Sequence, residues 1–303
     1  MLDSFRRRFD RLRDHPVGRR QPIQALLRFM KAEIINTWLG YPFLVNHEFG
    51  VVLIVERGHH GTRGHYFFGV LEFEDELFAI DFLRPDELFI DIGANLGMFS
   101  VMVAATTGAR VVAVEPSPSS SRVFKRHIAL NDLTDRIKLI EACAGDSTGG
   151  AFIMDTIEST NFVVLQDADL QPGMTKTPMI RIDDVVDGKS PCLMKMDVEG
   201  FEMQALMGAT QLLDSENLEA ITVEIADMSS RYGVSPDDTH KFITGFGFTA
   251  VTYNPLTRVL TPAESWKRSN KLGVSNTIYV RNLERARQRL STAPRRHLHT
   301  LPI

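Results

Sequence analysis

The chain predicts an α/β fold of the Rossmann-like type, a parallel sheet flanked by helices, on three observations. The first is Leu88-Phe89-Ile90-Asp91-Ile92-Gly93-Ala94-Asn95-Leu96-Gly97-Met98-Phe99-Ser100, an apolar run that breaks at a glycine turn and continues as a helix to about Ala105. An unbroken apolar strand suits a central place in a parallel sheet, buried on both faces. The second is Val111-Val112-Ala113-Val114, another apolar run, ending at Glu115-Pro116. The third is the alternation of further short apolar runs with amphipathic helical stretches.

The glycine turn carries the first chemical expectation. Gly93 and Gly97 should bare the backbone to a ligand, while the helix after Gly97 aims its free N–H groups and positive dipole end at the same gap. A dinucleotide fingerprint would place its second glycine where this chain has Asn95, and the loop closes at Gly97. A pyrophosphate needs that position bare. S-adenosylmethionine has no phosphate and presents a small amino-acid end, whose ammonium Asp91 can accept from. Glu115 falls where a doubly wound sheet sets an acid against a ribose diol. A plain tight turn and a surface glutamate stopped by proline use the same residues, but strand, spacing and terminal acid together favour a nucleoside.

Composition sets outer bounds. With 303 residues, 44% of them hydrophobic and 24% charged, the chain can bury a full core beside an N-terminal extension. A net charge of −4 gives no whole-protein bias towards nucleic acid, and none is expected as a partner. Cys143 and Cys192 are too few and too far apart for a disulfide scaffold or thiolate zinc site and fit a reducing compartment. No apolar run approaches the roughly 18 residues of a membrane span, so the expected location is cytoplasmic.

In chain order, residues 1–42 read as a basic helical segment, with Leu2, Phe5, Phe9 and Leu12 at helical spacing and a second helix over about Ile23 to Trp38. Peripheral contact with an anionic membrane and simple packing on a neighbour both account for it, packing being favoured. Residues 43–83 read as a cap: a β-hairpin of Val51–Val55 and His65–Phe68 about the turn Gly58-His59-His60-Gly61, then a helix from Glu72 to Phe82. Residues 84–282 form the main domain. Within it, Ser119 to Asn131 is a crossover helix, Ile137 to Ala142 a third strand, and Asp146 a candidate partner for an adenine amino group or a turn cap. Ala151 to about Leu165 alternates as an added hairpin with Ser159, Thr160 and Asn161 at its turn. Ser235 with Asp238 opens a late helix that ends at Gly245 to Gly247, followed by strands Phe248–Tyr253 and Asn276–Val280 joined by a long loop. Residues 283–303 read as a basic, frayed tail.

A second constellation is Cys192-Leu193-Met194-Lys195-Met196-Asp197-Val198-Glu199-Gly200-Phe201-Glu202, a strand, a turn and a helix start. Asp197 and Glu199 sit at a strand's C-terminal edge, where open α/β sheets place chemistry, and Glu224 closes the strand Ala220–Ile225. The pair can act as a general base, hold Mg²⁺ through oxygen ligands, or merely cap the helix that follows.

With these stretches in hand the chain resembles the FkbM family of S-adenosylmethionine-dependent methyltransferases. The resemblance runs from about Arg84 to about Val280: Asp91 to Gly97, Glu115-Pro116-Ser117-Pro118, Asn131, Arg181-Ile182-Asp183-Asp184, and Lys195 to Glu202 followed by Gly208-Ala209. It implies a class I methyltransferase fold, here taken as a seven-stranded sheet under an N-terminal helical and β-hairpin cap. It also implies O-methylation of a hydroxyl on a sugar, glycolipid, polyketide or similar small-molecule or glycan acceptor. A cofactor-binding module without turnover and a nicotinamide oxidoreductase are the alternatives. The expected cofactor contacts are Asp91, Gly93, Asn95, Gly97, Glu115 and Asp146; the expected catalytic residues are Asp197, Glu199 and Glu224.

Overall fold

The computed structural model describes residues 15–47, 49–155, 162–164, 172–186, 190–225, 227–267, 269–270, 273–274, 276–298 and 301–302. The expected helix over Leu2 to Leu12, and Ser159, Thr160 and Asn161, lie outside the described residues.

The N-terminal part begins with α1 (Pro16–Arg20) and α2 (Pro22–Ala32), each opened by a proline whose missing N–H costs nothing in a first turn. α2 runs on as a π-helical turn, Glu33–Trp38. β1 (Phe43–Asn46) and β2 (Val52–Val55) then pair antiparallel, Phe43 opposite Val55. Asn36 ties this hairpin to the helix by donating from Nδ2 to the carbonyls of Tyr41 at 2.7 Å and Val55 at 3.1 Å.

Here the expected hairpin needs correcting. Val52–Val55 pairs backwards with Phe43–Asn46, and the residues meant to be its second strand form helix α3 (His60–Phe68). The run of His65 to Phe68 suggests a strand only if the preceding glycines form a turn. In the structure Gly61 and Gly64 lie within the helix, where a Cβ on Gly64 would stand 2.5 Å from Leu71, and Gly69 at φ +83° ends it. Helix α4 (Phe73–Phe82) follows, close to expectation.

The main sheet holds β3 (Leu88–Ile92), β4 (Arg110–Val114), β5 (Ile137–Ile140), β10 (Pro191–Met196), β11 (Ala220–Val223), β12 (Thr249–Asn254), β13 (Val259–Pro262) and β16 (Thr277–Val280). Between β5 and β10 lie β6 (Cys143–Ala144), β7 (Gly149–Met154), β8 (Val163–Val164) and β9 (Met174–Ile180), which make a separate four-stranded sheet, and β14 (Ser269–Asn270) pairs β15 (Gly273–Val274). The strand order of the main sheet is β13-β12-β16-β11-β10-β3-β4-β5. β3, β4, β5, β10 and β11 are parallel; β16 runs antiparallel between β11 and β12, β12 and β16 being the two late strands expected from the sequence. The sheet has eight strands rather than seven. The addition is β13, an edge strand turned back onto β12 through Arg258 at φ +57°, and Pro262 is tolerated there because an edge N–H need not be paired.

Every residue of β3 and β10 is buried, as their apolar runs demand. Strand order reverses between them, so their C-terminal ends flank a crevice. On one face pack α5 (Met98–Thr107) and α6 (Pro118–Leu130); beyond β10 come α7 (Glu202–Met207) and α8 (Thr210–Asp214), then α9 (Pro236–Gly245) with the expected Ser235–Asp238 capping box. The cap is bolted to α6. Asn131 accepts from Val52 N at 2.6 Å and donates to Val52 O at 3.0 Å, imitating a neighbouring strand, and His127 bridges Ile54 N to Leu96 O at 3.1 and 3.0 Å.

The tail also needs correcting. Leu283–Ser291 is a helix, α10, capped by Asn282 and burying Ala286 and Leu290. Arg289 donates to Phe82 O at 3.0 Å and stands over the Phe82 ring at 4.7 Å. Its arginines look like a solvated tail because they satisfy backbone carbonyls and acids in folded neighbours that sequence spacing does not reveal.

Candidate active site

One cleft, of about 180 Å³, opens at the C-terminal ends of β3, β4 and β10. Its wall takes Asp91 to Leu96 and Glu115 from one side, Lys195, Asp197 and Glu199 from another, and Gly61, His65, Leu71 and Glu72 from the cap.

The glycine turn is held from within. Gly93 N and Ala94 N both donate to Val114 O, at 2.9 and 3.1 Å, so the end of β4 sets the loop. Gly93, Asn95 and Gly97 all have positive φ, at +79°, +51° and +77°. Packing supplies a reason for the glycines that the sequence did not show. A Cβ on Gly93 would fall 1.7 Å from the Asp197 carbonyl, and one on Gly97 would fall 1.9 Å from the Phe124 ring. Close protein packing excludes side chains at both positions, Gly93 lining the cleft and Gly97 lying outside its wall.

Asp91, the fourth residue of β3, is fully buried. Its Oδ2 accepts from Ser100 Oγ at 2.6 Å, and its Oδ1 is buried without a partner. Burial raises its pKa, opposed by the nearby Lys195 ammonium. An unpaired buried carboxylate oxygen in a cleft wall is costly unless a ligand supplies the donor. Glu115, buried at the end of β4, accepts from Ser117 N at 2.9 Å and Asn95 N at 2.7 Å, and burial pushes its carboxyl up to about 7. Asn95 therefore serves the site through its backbone. Asp146 does not join them: it is exposed, bonds Ser147 Oγ at 3.0 Å and lies outside the cleft wall.

Asp197, Glu199 and Glu224 do come together. Asp197 Oδ2 accepts from Lys195 Nζ at 3.0 Å, and Asp197 N donates to Ile92 O at 2.9 Å, locking the two strand ends side by side. Glu224 hydrogen-bonds Asp197 from outside the cleft wall. Burial and the Asp197 charge push Glu224 up to about 10; although burial opposes it, the Lys195 ammonium holds Asp197 below the usual carboxylate range. Glu199, at φ +56° in the turn, is pushed up to about 7 by burial and by the Asp197 charge.

The helix-capping alternative and the metal alternative both meet specific residues. Glu202 Oε1 takes the turn's amides, Val198 N at 3.2 Å and Gly200 N at 3.0 Å, so Asp197 and Glu199 are not needed as caps. Among the described residues no three His, Cys, Asp or Glu side chains gather as metal ligands, and the cation against Asp197 is an ammonium. The Mg²⁺ expectation for Asp197 and Glu199 has no support in this donor set.

Sequence reasoning missed four participants, Lys195, Glu72, Glu76 and His65. Lys195 is buried, faces Asp91, Asp197 and Glu72, and has its pKa raised by them against the opposing effect of burial. A lone lysine inside a strand buried on both faces was the available signal. Glu72, pushed up to about 7 by burial, accepts from Asn276 Nδ2 at 3.0 Å. Glu76 Oε2 pairs with His65 Nε2 at 2.9 Å; burial disfavours both charges, yet mutual attraction raises the histidine and lowers the acid. These cap residues carried no motif.

A reversing parallel sheet, an antiparallel strand inserted near one edge and acids at the ends of β3, β4 and β10 define a class I, Rossmann-like methyltransferase. The model of the methyltransferase FkbM domain matches residues 91–250, and the chain belongs to that family. It is similar to methyltransferase sdnD of Sordaria araneosa, 26% identical over 198 residues, 54% of this chain and 74% of that one. It is also similar to the 31-O-demethyl-FK506 methyltransferase FkbM of Streptomyces tacrolimicus, 24% identical over 203 residues, 56% of this chain and 75% of that one. Among solved structures, an rRNA methylase from Streptococcus thermophilus aligns with a TM-score of 0.42 at 12% identity, covering 68% and 93% of the two chains.

Proposed function

We propose that the chain transfers a methyl group from S-adenosylmethionine to a hydroxyl oxygen of a small-molecule or glycan acceptor, a sugar, glycolipid, polyketide or similar metabolite. The observation that carries the cofactor reading is the unpaired buried Oδ1 of Asp91 in the cleft wall. A carboxylate oxygen lacking a donor there suits an ammonium, and the acidic wall suits a ligand of net positive charge at its reactive end. Glu115 keeps free lone pairs beyond its two backbone amides and suits a ribose diol. When bound, S-adenosylmethionine supplies an electrophilic sulfonium methyl.

The remaining chemistry belongs to the chain's own residues. A hydroxyl is a weak nucleophile until a base takes its proton, and a base is most useful with a pKa near the working pH. Glu199 meets that condition and reaches the cleft. Asp197, clamped by Lys195 and Glu224, keeps its negative charge and thereby raises Glu199. Oxygen as the accepting atom is in keeping with the name of the Streptomyces relative, a 31-O-demethyl-FK506 methyltransferase.

The test has two arms. Titration calorimetry should find S-adenosylmethionine binding that Asp91→Asn and Glu115→Gln weaken, with NADH unable to displace it. Labelled methyl should then appear, by mass spectrometry, on hydroxylated metabolites of a cell extract. Equal affinity for wild type and both variants removes the cofactor assignment; binding without adenosylhomocysteine formation across such acceptors leaves a binding module.

A further inference from the structure

The segment Pro22–Trp38 turns Ala25, Phe29, Ala32 and Asn36 inwards. Ile23, Leu26, Leu27, Met30 and Ile34 stand on its outer face, at the i, i+3, i+4, i+7 and i+11 spacing of a single stripe. A helix that only packs on its own domain buries its large aliphatic residues and exposes polar ones; this one does much the reverse. The stripe continues through Trp38, Leu39, Tyr41 and Leu44, with Ile23 70%, Trp38 82% and Tyr41 68% exposed. Scattered exposed apolar residues are ordinary, but a contiguous run of this kind marks a contact surface.

Charge selects the occupant. Residues 1–47 hold nine Lys and Arg against four Asp and Glu, in a chain whose net charge is −4. Arg19, Arg20 and Lys31, on the same short helices, are exposed. Cores of protein interfaces are depleted in charge, especially lysine, whereas a headgroup layer accepts aliphatic side chains and basic residues together and concentrates Trp and Tyr at its boundary. We propose that this face seats the protein on an anionic lipid bilayer, the stripe entering the headgroup and acyl boundary and the basic residues meeting lipid phosphates. The seat is one helix from the cleft: Phe29 on α2 contacts Phe67 of α3 at 5.6 Å between ring centroids, and His65 of α3 lines the cleft.

The experiment is co-sedimentation of the full chain with vesicles of phosphatidylcholine alone or mixed with phosphatidylglycerol, at low and high salt. Binding should require the anionic lipid and weaken with salt. The triple substitution Ile23→Glu, Leu27→Glu, Ile34→Glu should cut the bound fraction at least tenfold while leaving the melting temperature and the affinity for S-adenosylmethionine unchanged. If that variant fails to fold, Trp38→Ala should still lower binding, and Trp38 emission in the wild type should shift to the blue on anionic vesicles. No binding at low salt by the intact chain overturns the proposal. So does binding that appears only after residues 1–14 are removed, which would mean the chain covers its own face. A dimer dissolved by the same substitutions, with no vesicle binding, assigns the face to a second copy.

Discussion

The two sides of the cleft are built on opposite principles. Around the glycine turn, Asp91, Gly93, Asn95, Gly97 and Glu115 come from two neighbouring strands, and backbone amides do much of the holding. Opposite them, Lys195, Asp197 and Glu224 from β10 and its neighbour meet Glu72 from the cap, and side-chain charge holds the group together. The first side is preorganised chiefly by backbone geometry, Asp91 alone among its acids lying against the Lys195 ammonium. The second is an electrostatic assembly in which each charge sets the protonation of the others, so removing one should disturb them all.

The largest expected effect sharpens that contrast. Glu199→Gln should lower the methyl-transfer rate by about 10²–10⁴-fold at unchanged cofactor affinity, as loss of a general base does. In the wild type the rate should rise with pH through about 7, where the Glu199 carboxyl ionises. A flat pH profile, or a variant that turns over normally, breaks the assignment and moves attention to Asp197. Metal chelators should leave the rate untouched.

Lys195→Met should come next, costing on the order of 3–5 kcal/mol of stability because it leaves buried carboxylates without their cation. Chemical denaturation measures it. Pairing it with Glu72→Gln should return part of the loss, and strict additivity of the two would show that the assembly is not coupled. On the other side of the cleft, Asp91→Asn should cost about 1.5–3 kcal/mol of cofactor binding, read by calorimetry, with little change in unfolding midpoint.

The smallest effect is a pH dependence of stability. Burial pushes Glu72, Glu115, Glu199 and Glu202 up to about 7, so between about 4.5 and about 7 the folded chain holds protons that the unfolded chain has lost. Stability therefore falls as pH rises across that window. His65, raised by Glu76, adds to the fall, whereas His127, pushed down to about 4 by burial, opposes it because its unfolded form takes up a proton below 6.5. The raised acids and His65 outnumber His127, His59 and His240, the histidines that burial lowers, so the ligand-free melting temperature should be lower at pH 8 than at pH 5.5. A rise over that range would mean that these carboxyls are not shifted together.

The sequence by itself determined β3, β4, β10 and β11, because a strand buried on both faces must be written as an apolar run, and it placed Asp91, Glu115, Asp197 and Glu199 at strand ends. Local turn chemistry likewise marked the Gly93–Gly97 loop and the Ser235–Asp238 capping box. Only the tertiary structure decided why Gly93 is glycine, since the obstructing carbonyl belongs to Asp197, more than a hundred residues away. It also decided that His60–Phe68 is helical, that Leu283–Ser291 is docked, and that β13 extends the sheet. The Lys195 assembly lies beyond pattern reading for the same reason. Its members share no spacing, and their protonation exists only once folding has taken all of them out of water together.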